Sequence, residues 1–124
     1  MSAIGALRIQ TLTHRINKCQ LQMTLLSQQQ QTLFDTSATI GREYRQLYNQ
    51  VNGLGNTVNA EYQDALSSKL GQLQEVYFVM SERENDIEQQ IKILNTQYQA
   101  LSKELENVKK YNEESAKKEV MKFS

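Results

Sequence analysis

The sequence predicts an all-α protein, a long antiparallel helical hairpin of the coiled-coil type. Three observations predict it: there is no proline in 124 residues, apolar residues recur at alternating steps of three and four, and one Gly/Asn cluster separates two such stretches. Proline would block a helix interior, so its absence allows long helices. An apolar residue every 3.5 positions forms a stripe, called a seam here, that must meet another helix to leave water.

The first helix is expected over residues 3–52. Its seam has two polar members, Gln30 and Ser37, and consists of Ile9, Leu12, Ile16, Cys19, Met23, Leu26, Gln30, Leu33, Ser37, Ile40, Tyr44, Leu47, Val51, Leu54 and Val58. Between Gln28 and Ile40, the residues Asp35, Thr36, Ser37 and Thr39 prefer caps and turns, so a break near Asp35 is an alternative. The unbroken spacing favours one continuous helix.

A turn is expected at residues 53–56, within the stretch Asn52-Gly53-Leu54-Gly55-Asn56. Glycine and asparagine adopt the positive-φ conformations that stop helices. The seam spacing also fails here, because Val58 and Leu66 are eight positions apart instead of seven. A tight reversal and a mere kink in one rod both stay open.

The second helix is expected over residues 57–118, followed by a frayed tail at 119–124. Its seam consists of Leu66, Leu70, Leu73, Tyr77, Met80, Glu84, Ile87, Ile91, Leu94, Tyr98, Leu101, Leu105 and Val108. This helix is the longer one by about one-fifth at ~1.5 Å per residue. We therefore expect an overhang from Lys103 onward that leaves Leu105 and Val108 without a partner helix.

Glu84 is the single charged residue in either seam. A buried carboxylate is costly unless it is paired. It is therefore a candidate for setting register or partner choice, with Arg42 or Arg45 as its counter-charge across the hairpin. A locally wet seam or a small kink is the alternative.

Apolar side chains also lie outside the seams. The segment Val76–Met80 is apolar all round, which is typical of the middle of a bundle or of a patch that docks another protein. Other off-seam apolar residues include Leu7, Leu21, Leu25, Phe34, Tyr48 and Ile93. A stripe this wide favours more than one partner helix and thus self-association.

The formal net charge is zero, so a nucleic-acid partner is not expected. Charge is unevenly placed: residues 1–52 carry five basic and two acidic side chains, and residues 53–124 carry nine and twelve. Such halves suit pairing with each other or with a neighbouring copy. No apolar run approaches the ~18–20 residues of a membrane span, so a membrane partner is also not expected. Without a secretory signal at the start, the cytoplasm is the default location, and export by a signal-less route is the alternative.

The chain offers little reactive chemistry. His14 is the only histidine and Cys19 the only cysteine, which is too few for a zinc site. Cys19 occupies a seam position and is expected to be a small buried apolar residue. The sequence contains no paired acid and base, phosphate loop or metal-ligand spacing, so we expect neither an enzyme nor a cofactor.

The stretch Ala6-Leu7-Arg8-Ile9-Gln10-Thr11-Leu12-Thr13-His14-Arg15-Ile16 resembles the start of small uncharacterised bacterial helical proteins with an LTxR opening and a following Gln-rich helix. The plan of a proline-free hairpin without a signal is similar to small helical components of bacterial type III and flagellar secretion systems. These include filament subunits and stalk-like or chaperone proteins. The resemblance implies assembly and no catalytic residues, although Cys19 and the apolar middle depart from the filament subunits.

Together these features favour a non-enzymatic structural protein that self-associates into a homo-oligomeric bundle or a filament. The expected self-association seam comprises Ile9, Leu12, Ile16, Met23, Leu26, Leu70, Leu73, Tyr77, Met80, Ile87, Ile91, Leu94, Leu101 and Leu105. The alternative is a coiled-coil adaptor or export chaperone of a secretion-type machine. It would present Val76, Phe78 and Val79 to another helical protein.

Overall fold

The computed structural model describes residues 3–54 and 60–123, with Leu54 and Phe123 described by backbone alone. Helix α1 spans Ala3–Leu54 and helix α2 spans Ala60–Phe123. Every described residue is helical, and the two helices pack against each other. The predicted all-α helical hairpin is therefore confirmed.

The helix ends differ from the expected ones by a few residues. Helix α1 includes Gly53 and Leu54, which were expected in the turn; Gly55 and Asn56 lie outside the described residues. Helix α2 runs five residues past the expected end at Lys118. The tail at 119–123, expected to fray, is thus helical. Its Glu, Met and Lys residues are good helix formers, and lysine near a helix C-terminus suits the helix dipole.

Helix α1 continues through the polar stretch between residues 28 and 40. Its threonines stay within the helix by bonding to their own backbone. The hydroxyls of Thr32, Thr36 and Thr39 each donate to the carbonyl four residues earlier, at 3.1, 2.8 and 3.1 Å. These bonds satisfy side chains that would otherwise compete with the helix for backbone groups.

The contacts divide the hairpin into two units, each made of one segment of α1 and one of α2. Unit 1 comprises Met1–Leu26 and Gln90–Ser124, and unit 2 is the segment Ser27–Gln89. Unit 1 joins the start of α1 to the end of α2, and unit 2 joins the end of α1 to the start of α2, as antiparallel helices require.

Unit 1 contains a continuous apolar core. Leu12, Ile16, Cys19 and Leu101 are buried, and they are packed against Leu94, Tyr98, Leu105 and Val108. The expectation that Cys19 is a buried apolar residue is confirmed, since its thiol is free and buried.

Helix α2 is longer than α1, as expected, but the expected start of its overhang at Lys103 is wrong. Leu105 and Val108 pack on the core of unit 1, and the side chain of Arg8 forms an ion pair with Glu104. The turn was expected too early in the chain, at residues 53–56, whereas α1 extends to Leu54 and α2 begins at Ala60. The N-terminal part of α1 therefore covers the α2 seam well beyond Lys103.

The α2 seam was expected to end at Val108, but it extends four residues further to Asn112. Asn112 is buried opposite Gly5. A Cβ at Gly5 would lie 2.7 Å from both the Nδ2 and the Oδ1 of Asn112, so only glycine leaves room for this amide. The Asn112 Nδ2 has no hydrogen-bond partner.

Unit 2 has a thinner core. Among its described residues, Met80 and Ile87 are the buried apolar side chains, and Ile87 is fully buried. Hydrogen bonds between side chains of α1 and α2 supplement this packing: the Gln74 amide donates to the Tyr44 hydroxyl at 3.3 Å, and the Gln50 amide to the Tyr62 hydroxyl at 3.2 Å.

Candidate interaction surface

The residues expected to form a self-association seam are placed within the single chain. All fourteen except Tyr77 are buried or half-buried where α1 and α2 pack together. A contact between copies through the same side chains would have to replace this packing. Association between copies must therefore use side chains that the hairpin leaves exposed.

The segment Val76–Met80 is one such surface. Met80 is buried, but Val76, Tyr77, Phe78 and Val79 are 45%, 51%, 63% and 61% exposed. The two helices of one chain can cover only one stripe of this all-round apolar segment. Its other faces remain in contact with solvent.

Beside this segment, α1 and α2 of unit 2 enclose an open groove of about 690 Å³. Its aromatic lining comes from Phe34, Tyr44 and Tyr77. The Tyr44 ring also stacks on Tyr48, with centroids 6.1 Å apart and ring planes 20° apart. This arrangement makes a broad aromatic surface on one side of unit 2, called the aromatic groove here.

Gly41 and Ala38 also line the aromatic groove and keep it open. A Cβ at Gly41 would meet nothing within 4 Å. Glycine in a helix interior destabilises the helix by about 1 kcal/mol relative to alanine. Packing within the chain does not require this glycine, whereas close approach of another helix would.

The polar end of the groove contains Glu84 and Ser37. The Ser37 hydroxyl donates to the Glu84 carboxylate (Oε1) at 3.0 Å in a part-buried position. Two of the polar seam positions thus satisfy each other across the hairpin. A role for Glu84 in setting the register stays a prediction.

The expected arginine partners of Glu84 bond elsewhere. Arg42 donates to the Thr39 hydroxyl at 3.3 Å, and the Arg45 Nε donates to the Gly41 carbonyl at 3.4 Å. Both arginines therefore lie along their own helix at the wall of the aromatic groove. Ser37 was not predicted as the partner of Glu84. The seam spacing fails between Val58 and Leu66, so the sequence does not show which positions of the two seams face each other.

Unit 1 carries a smaller exposed apolar surface. A groove of about 450 Å³ runs between Leu25 on α1 and Ile93 on α2, which are 49% and 59% exposed. Leu21, one helical turn before Leu25, is also exposed. We call Leu21, Leu25 and Ile93 the aliphatic patch.

The side chains with reactive chemistry do not come together. His14 is exposed, and Cys19 is buried in the core of unit 1. Across residues 3–54 and 60–123, no group of three or more His, Cys, Asp or Glu side chains could hold a metal ion. No helix in the same ranges has a stretch apolar and long enough to cross a membrane.

In comparisons with known proteins, no family model, no curated protein and no solved structure matches this chain. The resemblances noted in the sequence stay predictions. The function is therefore argued from the exposed surfaces of the hairpin.

Proposed function

We propose that this protein is a non-enzymatic structural protein that self-associates through the apolar side chains left exposed by its hairpin. The observation that carries the proposal is the aromatic groove of unit 2 with the adjoining segment Val76–Val79. Monomeric proteins rarely expose contiguous apolar patches larger than a few hundred Å², and larger patches are typical of interaction sites.

The energetics favour a second pair of helices. Full burial of a Val, Leu or Phe side chain stabilises by roughly 1.5–3 kcal/mol relative to exposure. Several such side chains within one segment supply a driving force that two helices alone cannot use. A bundle of four or more helices buries both the seams and the flanking positions.

The mass of the full chain in solution tests this proposal. Sedimentation velocity over a range of protein concentrations should give a species heavier than the 14.3 kDa chain, with a fraction that rises with concentration. A monomer at every concentration would contradict self-association. Negative-stain microscopy then separates a closed bundle from a filament. Leu105 and Val108 pack on the core of unit 1 and so do not favour the filament, although α2, with 64 residues, is longer than α1, with 52.

The exposure of Val76, Phe78 and Val79 supports a second candidate function, that of an adaptor or export chaperone. In this case the segment docks another helical protein. Capture from host lysate with Phe78→Glu as bait should lose that partner while self-association stays intact. Leu7→Glu is the matched control, because Leu7 is an exposed apolar residue of unit 1, 64% exposed against 63% for Phe78.

For either function the cytoplasm remains the expected location. Fractionation of host cells tests this, and recovery from the medium without cell lysis would favour signal-less export.

A further inference from the structure

We propose that the aromatic groove of unit 2 receives the aliphatic patch of unit 1 from a second copy of the chain. This inference rests on the proposed self-association and names the two surfaces that meet. Opposite units of two copies would then pack together, instead of like units.

The groove is shaped for aliphatic side chains. Rings of Phe34, Tyr44 and Tyr77 line it, and the space above Gly41 is open. Arg42 and Arg45 bond along their own helix, so their carbon chains extend the apolar lining while their charges are directed to backbone and hydroxyl oxygens. A leucine or isoleucine that packs against these rings therefore leaves water, while Glu84 at the polar end of the groove keeps its hydrogen bond from Ser37.

The aliphatic patch supplies side chains of this kind. Leu21 and Leu25 are four residues apart and therefore share one face of α1. Ile93 flanks the same small groove as Leu25 from α2. All three lie outside the seams and are 59%, 49% and 59% exposed, so packing within the chain leaves them available.

The net charges of the two units favour contact between opposite units of two copies. Unit 1 carries ten basic and five acidic side chains, a net charge of +5. Unit 2 carries four basic and nine acidic side chains, a net charge of −5. Contact between two copies of unit 2 would place like charges together, whereas contact between unit 2 and unit 1 places opposite charges together.

Matched substitutions test the two surfaces one at a time. Gly41→Leu fills the aromatic groove, and Gly71→Leu is its control, because a Cβ at either glycine meets nothing within 4 Å but only Gly41 lines the groove. Leu25→Gln removes an aliphatic side chain from the patch, and Leu7→Gln is its exposed control in the same unit.

We expect Gly41→Leu and Leu25→Gln each to weaken self-association by about tenfold or more, as for residues at the centre of an interface. The two controls should stay within about twofold of the wild type, as expected for positions outside an interface. Helical circular dichroism of each variant at low concentration verifies that the hairpin still forms. Self-association that is unchanged in both Gly41→Leu and Leu25→Gln would overturn the inference.

Mixing the two defective variants gives the sharpest test. The Gly41→Leu chain keeps its aliphatic patch, and the Leu25→Gln chain keeps its groove, so an equimolar mixture should form a 1:1 complex by native mass spectrometry. If grooves packed on grooves, the mixture would contain no such complex, and the inference would fail.

Salt provides an independent test of the charge argument. Attraction between opposite units is screened by salt, so self-association of the wild type should weaken as ionic strength rises. Association that does not weaken as ionic strength rises would contradict the charge argument and, with it, the pairing of opposite units. If the wild type is monomeric at every concentration, the proposed function itself fails. If the wild type assembles and neither the groove variant nor the patch variant weakens assembly, only this inference fails.

Discussion

Unit 1 and unit 2 are built from the same two helices and the same heptad spacing, yet they differ in what they bury. Unit 1 has a core of four buried side chains with four more packed on it, whereas the described part of unit 2 buries Met80 and Ile87. Unit 2 instead exposes the aromatic groove and has a serine–glutamate pair within its seam. The comparison indicates that unit 1 holds the hairpin together and unit 2 provides the main surface for another chain.

The largest expected effect tests the core of unit 1. Leu12 is 3% exposed in the centre of that core, so Leu12→Ala should lower the free energy of unfolding by about 2–5 kcal/mol. Leu21→Ala, on the exposed side of the same helix, should change it by less than about 0.5 kcal/mol. Urea denaturation at low protein concentration measures both variants. Equal losses would remove the distinction between core and patch.

The next effect compares glycines of the two units. Gly5→Ala should lower the stability by roughly 1–2 kcal/mol, because the new Cβ must displace the buried Asn112 side chain. Gly71→Ala in unit 2 should raise it by up to about 1 kcal/mol, because the site is open and alanine is the better helix former. Thermal melting of the two variants gives the sign of each change. A stabilising Gly5→Ala would show that Asn112 moves aside freely.

The polar pair in the seam of unit 2 should contribute about 1 kcal/mol. A double-mutant cycle with Ser37→Ala and Glu84→Ala measures the coupling between hydroxyl and carboxylate. Additive effects of the two substitutions would mean that the observed 3.0 Å bond does not hold the two helices together.

The smallest effect belongs to the ion pair of unit 1. The Arg8 and Glu104 side chains are 58% and 41% exposed, so their coupling in a cycle with Arg8→Ala and Glu104→Ala should stay below about 1 kcal/mol. It should decrease further in 0.5 M salt. A larger coupling that persists in salt would give this pair the importance that we assign to the apolar core.

The helices and their seams were predictable because a repeat of 3.5 residues has one physical solution, a pair of helices packed along that stripe. Every described seam position except Tyr77 is at least half-buried. Local spacing alone carries this information, so no knowledge of the turn was needed.

The pairing between the seams was not predictable, because it depends on the length of chain between the helices. The Ser37–Glu84 bond, the Gly5–Asn112 contact and the coverage of Leu105 all follow from that pairing. The first of these could have been suspected, since Ser37 and Glu84 are polar exceptions in opposite seams.

The aromatic groove was only partly visible in the sequence. Phe34 and Tyr48 stand out as apolar residues beside the seam, but spacing does not show which flanking side chains remain exposed when two helices pair. The opposite charges of the units were also hidden, since counting along the chain gives halves of +3 and −3. The hairpin joins the first and last segments into one basic unit.

The most direct test of the account is a photocrosslink from the aromatic groove. A benzophenone side chain placed at position 77 of a ¹⁵N-labelled chain, mixed with unlabelled wild type and irradiated, should form crosslinks to the unlabelled chain. By mass spectrometry these should map to the peptides that contain Leu21 and Leu25 or Ile93. Crosslinks confined to the labelled chain, or directed to unit 2 of the other copy, would contradict the central claim that one copy covers the exposed apolar surface of the next.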